Sequence, residues 1–462
     1  MNENEIKELK EKILSKEKNV YSCLTEEDEK QMAEFAANYS AFLDRSKTER
    51  EAVIYAISDA EKAGFKPYKF GQALKEGDKL YYNNRGKELI LFVIGSENVE
   101  NGINISAAHI DSPRIDLKQH PLYEEGEMAF FKTHYYGGIK KYQWTAIPLA
   151  LHGKVIKGDG SEVDIIIGED DSDPVFYIND LLPHLAKDQV SRSLGDGIPG
   201  EKLNLLVGSR PLADGKDIKL AVMKLINEKY GIVEDDFISA ELTAVPAFKA
   251  RDVGFDRSLI AGYGHDDRVC AYPALRALID ADKPKNTAMV ILADKEEVGS
   301  GGATGMQCDI FTDLIGEIAR ALGANENAVR ANSKCLSADV NAAYDPNFGE
   351  VYESRNSSFI NRGVVMTKFT GSRGKSGTSD ATAEFVGYVR KMFNEAGVVW
   401  QTGELGKVDQ GGGGTVAIYI AEKNIDVVDL GVPVISMHAP YEVISKADLY
   451  MTYKAFLCFN RS

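Results

Sequence analysis

The sequence predicts an α/β fold, a three-layer α/β/α unit into which a second, β-rich unit is inserted. Short apolar runs bounded by turn residues recur in both halves of the chain, as buried strands do. Segments with apolar residues at helical spacing alternate with them. Between about residues 116 and 247 the texture changes, with frequent aromatics and glycines, as in HYYGGIKKYQWTAIP. An alternation that stops and resumes is most economically one domain, residues 1–115 and 248–462, carrying another, residues 116–247, in a loop.

Taken in order, residues 1–63 read as helical, with few breakers. Leu89 to Ile94 and Ile103 to Ala108 read as buried strands. Within the β-rich block, Val163 to Ile167 is strand-like and Asp217 to Tyr230 is helical. Asp267 to Ile279 then reads as a helix, Thr287 to Ala293 as a strand, Phe311 to Leu322 as a helix and Lys334 to Ala338 as a strand. Asp380 to Ala396 reads as a helix, Val416 to Ile420 and Val432 to Met437 as strands, and Ala447 to Phe459 as a closing helix. No internal repeat or low-complexity tract is present.

The 462 residues suggest about two or three domain-sized units. A hydrophobic content of 44% and a charged content of 27% are ordinary for globular chains, so disorder is not expected. The net charge of −16, from 54 basic and 70 acidic residues, argues against a nucleic-acid partner, which needs a basic footprint. The first residues, MNENEIKELKEKILSKEKN, contain no apolar signal-peptide core, and no apolar run approaches the length of a membrane span. The expectation is a cytoplasmic protein without a membrane partner. Cys23, Cys270, Cys308, Cys335 and Cys458 are odd in number and scattered, which fits reduced thiols.

Four predicted strands run into residues that ligate metals. Ile103 to Ala108 leads to His109, Thr287 to Ala293 to Glu296 and Glu297, Lys334 to Ala338 to Asp339, and Val432 to Met437 to His438. Open α/β sheets bind ligands outside the carboxyl ends of their strands. Asp266, in GYGHDDR just before a helix, can reach the same edge. Two imidazoles and three carboxylates suit two zinc ions if one carboxylate bridges them. Of the adjacent Glu296 and Glu297, one can bind metal while the other serves as base. Each piece has a plainer reading: strand-end histidines are often structural, and acidic pairs often cap helices or face water. Their company favours a site.

AAHIDSPR, GYGHDDRVCA, DKEEVGSGG, SADV and SMHAPYE, in that order, resemble the aminopeptidase I / aspartyl aminopeptidase family of two-zinc exopeptidases. The resemblance spans nearly the whole chain, including HYYGGIKKYQW. It implies a zinc-exopeptidase-like catalytic domain that removes N-terminal residues from peptides. By motif position it makes His109 and Asp339 ligands of one zinc, Glu297 and His438 ligands of the other, and Asp266 the bridge, with Asp267 the competing choice. Glu296 matches the general base, acting on a metal-activated water. Asp111 matches the acidic residue after the first histidine, which can accept that imidazole's free N–H. Mn²⁺ or Co²⁺ are possible substitutes for the two Zn²⁺. The resemblance also implies that the inserted unit serves dimer formation, that dimers build a tetrahedral dodecamer, and that His184, in LLPHLA, reaches a neighbouring subunit's site.

The basic, Gly-rich VVMTKFTGSRGKSGTSDA stretch carries Lys368, Ser372, Arg373 and Lys375. Such loops are mostly solvated turns, but this one can hold a substrate, and Lys368 is its candidate contact. The family divides between acidic and neutral or apolar N-terminal residues. GKSGTSD stands where strict aspartyl enzymes carry a bulkier stretch, which favours broader specificity. GSGG at 299–302 and GGGG at 411–414 fit no phosphate-loop pattern and read as close backbone approaches to ligands or substrate. His120, His134, His152 and His265 read as structural, and Cys270 and Cys335 as small buried side chains. A two-zinc deacylase or carboxypeptidase is the first rival and would need a group for a substrate carboxylate. A non-catalytic scaffold is the second and would have lost a ligand or the base, yet all six positions are filled.

Overall fold

The structure, a computed structural model, describes all 462 residues. A nine-stranded sheet forms its centre. Four of those strands lie parallel side by side: Ala288–Ala293, Asn104–His109, Lys334–Ala338 and Asp426–Gly431. Their register puts Ala293 beside His109 and Ala338 beside both Ala108 and Leu430, so their carboxyl ends share one edge. Helices cover both faces, which explains the continuous apolar runs. Leu89, Leu91 and Val93 face the core built with helices Glu26–Arg45, Ala271–Asp280, Ala383–Glu395 and Lys446–Arg461. Ile90, Phe92 and Ile94 face the other, built with Ile310–Ala321, Glu326–Asn332 and Ala417–Ala421.

A second sheet takes all seven of its strands from residues between 114 and 246. Ala240–Pro246 pairs with both Arg114–Glu125 and Pro148–Ile156, so six strands close a ring and Glu162–Ile167 is added outside it. It has its own core, including the fully buried Trp144, against which helix Ile218–Tyr230 packs.

The structure corrects two strand expectations. Val416 to Ile420 is helical, as Ala417–Ala421, with the Thr415 hydroxyl accepting from the Ala417 N–H at 3.3 Å. Packing on the sheet overrides the β-propensity of those residues. Val432 to Met437 is not a strand of the central sheet. The central strand is Asp426–Gly431, and only Pro433–Ile435 is extended, in a separate five-stranded sheet. Residues 1–63 are three helices, the second and third opened by Thr25/Asp28 and Thr48/Glu51 capping boxes.

Helix Glu49–Lys62 and the residues just before it meet the second sheet at a largely buried charge cluster. His152 lies between Glu51 (2.7 Å) and Glu169 (3.1 Å). Lys47, 2% exposed, pairs with Glu169 and donates to the carbonyls of Pro246 (2.7 Å) and Phe248 (3.0 Å). Burial opposes ionisation of Glu169, but His152 and Lys47 outweigh it and hold the carboxyl down to about 2. Glu169→Gln is therefore expected to cost about 3 kcal/mol in urea unfolding at pH 7, because it strands a buried ammonium. A depressed carboxylate contributes stability that is present above its ordinary range and lost as pH falls through its folded value. The gap between wild type and variant should accordingly close as pH is lowered toward 2; a gap constant with pH would contradict the pairing.

Candidate metal centre

His109 ends the strand Asn104–His109. Nδ1 lies 3.3 Å from the Asp111 backbone carbonyl, and Nε2 lies 3.5 Å from Asp339 Oδ1. His438 comes from the loop after Pro433–Ile435. Its Nδ1 donates to the Gly138 carbonyl at 2.8 Å, and Nε2 lies 2.9 Å from Asp266 Oδ2 and 3.5 Å from Glu297 Oε1. In both rings Nδ1 faces a backbone carbonyl, which leaves Nε2 directed at the carboxylates, where it would ligate a metal on giving up its proton.

The ligand-type atoms fall into overlapping triads. His109, Asp266 and Asp339 form one, and Asp266, Glu297 and His438 another, with all atoms of each within 4.8 Å of one another. Asp266 belongs to both. Asp267 forms a third group with His109 and Glu297, but it sits 3.8 Å from His109 Nδ1, behind the ring, and does not line the cavity.

Asp111 acts differently from the sequence expectation. Its carboxylate is 3.7 Å from His109 Nδ1 and instead accepts the backbone N–H groups of Glu296 (3.0 Å) and Glu297 (3.2 Å) and the Tyr136 hydroxyl (2.7 Å). It clamps the turn that presents both glutamates. Glu442 does the same elsewhere, accepting from Asp266 N (3.0 Å) and His438 N (2.7 Å).

His109, Asp266, Glu296, Glu297, Asp339 and His438 line a cavity of about 600 Å³. Asn341, Thr367, Glu404, Asp429 and the 411–415 loop line it as well. Of the two Gly runs, only 411–414 lines the cavity. Lys368 does not line it: both Lys368 and Lys375 are bound to Asp380, and of these two lysines Lys375 reaches the cavity. His184 stands exposed on the short helix Pro183–Leu185, outside the cavity.

The Aminopeptidase I zinc metalloprotease (M18) family model matches residues 42–460. The chain belongs to the M18 family of zinc aminopeptidases. A Clostridium acetobutylicum protein named "Probable M18 family aminopeptidase 1" is 50% identical to this M18 chain over 459 residues, covering 96% of it and 99% of the relative. The crystal structure of the M18 aminopeptidase of Thermotoga maritima superposes with a TM-score of 0.93 at 44% identity, over 97% of this chain and 99% of the other. The S. cerevisiae mApe1 dodecamer shares the fold, with a TM-score of 0.75 at 21% identity over 92% and 95% of the two chains.

The donor set of this M18 aminopeptidase fits zinc, which takes imidazole nitrogen and carboxylate oxygen. Glu297 Oε1 is sealed from solvent without a hydrogen-bond partner, directed at His438. Burial and the neighbouring Asp266 and Asp267 push the Glu297 carboxyl up to about 11. Burial, with Asp339, Asp266 and Asp111 outweighing His109, pushes Glu296 up to about 8. Burial works against charge on His438, but Asp266 and Glu297 push it up to about 11. A bound cation would relieve the mutual repulsion of these buried carboxylates.

Sequence reading missed the supports of this M18 centre. Glu442 stands in SMHAPYE, four residues after His438, and its signal was a buried acid beside a ligand. Tyr136 and Gly138 come from the second sheet and its exit loop. Space there is tight: a Cβ on Gly137, which takes φ +74°, would stand 3.0 Å from Glu297 Oε2, and one on Gly138 3.3 Å from His438 Nδ1. Glu442→Gln replaces one acceptor by a donor facing an N–H. It is expected to weaken metal binding about 10- to 100-fold in a chelator-competition titration. Affinity within threefold of wild type would show that Glu442 only fills space.

Proposed function

We propose that this M18 zinc aminopeptidase holds two zinc ions per chain and hydrolyses the first peptide bond of peptides with Glu296 as general base. The reading rests on one observation above all: Asp266 is common to two triads, each completed by one imidazole and one further carboxylate. His109 and Asp339 would hold one ion, Glu297 and His438 the other, and Asp266 both. Such a pair, when bound, polarises a carbonyl oxygen and lowers the pKa of water. Glu296 lines the cavity beside these residues without being needed in either triad. It takes the proton of the attacking water and passes it to the leaving amine. Asp111 positions it through the backbone N–H.

The substrate preference we infer is for neutral N-terminal residues over acidic ones. Val340, Phe369, Leu405 and Met437 offer apolar surface in the cavity, while Lys375 is already paired with Asp380. Lys368 contributes indirectly, by sharing that aspartate. We further propose the division into residues 1–115 with 248–462, catalytic, and 116–247, dimer-forming, with dimers assembling into a tetrahedral dodecamer. The dodecamer of a protein with the same fold supports this, as do the exposed Leu181, Leu182, Leu185 and Leu194 around His184. In that assembly His184 enters a neighbour's cavity.

Initial rates on Leu- and Asp-para-nitroanilide, after chelation and after reconstitution with Zn²⁺, Mn²⁺ or Co²⁺, test the reading alongside metal analysis. Metal-dependent release, Leu faster than Asp, and about two ions per chain are expected. One ion at full activity would remove the two-ion proposal. A fully active monomer would remove the assembly and the role of His184.

A further inference from the structure

The cavity lined by the metal-ligand residues contains a further acidic group that the reaction does not use. Asp429 lies on the central strand Asp426–Gly431, in register with Ser337 on one side and Thr367 on the other. Lateral neighbours in a sheet point to one face, so Asp429 and the Ser337 and Thr367 side chains belong together. Oδ1 of Asp429 accepts two hydroxyls, Ser337 Oγ at 2.9 Å and Thr415 Oγ1 at 2.8 Å. Its other oxygen has no partner in the chain. That oxygen is not among the buried polar atoms sealed from solvent, and the residue lines the cavity while only 4% exposed.

A carboxylate buried to this degree is costly unless a cation or donor meets it. No basic side chain pairs with it: the cavity's cations, Arg373, Lys375 and Lys407, lie on the exposed outer loops, and Lys375 is engaged by Asp380. Glu404, which also lines the cavity, is likewise without an ion pair. Asp429 sits two residues before the strand end, about 7 Å below the sheet edge that carries the ligand residues at a rise of about 3.3 Å per residue. That is within the span of a lysine side chain.

We propose that Asp429 is a specificity-determining residue that receives the cationic end of a basic N-terminal side chain. The enzyme then accepts N-terminal lysine or arginine in addition to neutral residues, and the acidic wall rejects aspartate and glutamate. This rests on the aminopeptidase reading above, which fixes the substrate's first residue at the metal edge.

Norleucine has the carbon chain of lysine and lacks its ammonium, so the pair isolates the proposed contact. With zinc-reconstituted wild type, kcat/KM for L-lysine-para-nitroanilide should exceed that for L-norleucine-para-nitroanilide by about tenfold or more, the scale of a charge-assisted hydrogen bond. In Asp429→Asn, which keeps an acceptor for both hydroxyls, the ratio should collapse toward one. Norleucine equal to or better than lysine in wild type would overturn the proposal, whatever the variant does. A ratio unchanged in Asp429→Asn would overturn it too, leaving Asp429 as an acceptor for Ser337 and Thr415. Release from neither substrate would instead defeat the aminopeptidase reading beneath it.

Discussion

Glu296→Gln should bind its full complement of metal and lose about two to four orders of magnitude in kcat/KM on Leu-para-nitroanilide. The substitution preserves shape and keeps the backbone N–H that Asp111 accepts at 3.0 Å. It removes only the ability to take a proton. Because the residue belongs to neither triad, metal analysis after gel filtration should match wild type. The loss should appear in kcat rather than KM, since a group that works on the transferring proton acts in the transition state. A rate within tenfold of wild type would shift the base assignment elsewhere.

Asp266→Ala should have the opposite signature, with the metal lost first and activity falling to background. Each ion would be left with one imidazole and one carboxylate, too few for a stable zinc site. Bound zinc should fall well below one ion per chain. Removal of that charge also leaves His438 Nε2 without its 2.9 Å partner. Asp267→Asn is the control, because Asp267 lies behind the His109 ring, 3.8 Å from Nδ1. Its variant should keep a zinc stoichiometry near two. If instead Asp267→Asn empties the site and Asp266→Ala does not, the bridge has been assigned to the wrong neighbour.

The central sheet and the ligand-type residues were readable because they obey local rules. Asn104–His109, Ala288–Ala293 and Lys334–Ala338 are buried on both faces, so they appear as apolar runs that end where chemistry begins. Asp426–Gly431 escaped because Asp429 breaks its run, and that aspartate is met by Ser337 and Thr415, hydroxyls from other parts of the chain. Ala417–Ala421 looked like a strand because its isoleucines and tyrosine suit one, and only packing decides otherwise. Asp111 was readable as a neighbour of His109, yet its carboxylate serves a turn 185 residues away. Lys368 looked like a free cation, although its partner Asp380 stands in the same stretch, because the fold of the loop rather than the spacing brings the two together.

The hydrogen bond from His438 to the Gly138 carbonyl joins residues 300 positions apart, and Tyr136 reaches Asp111 from the same side. The second sheet thus supplies part of the frame around both triads. Thermodynamic linkage makes such an arrangement reciprocal. Whatever free energy zinc gains from correctly oriented imidazole and carboxylate ligands is returned as added affinity between the two halves of the molecule. Zinc held as proposed would then strengthen the contact of the 136–138 segment with the site, and that contact would in turn strengthen zinc binding.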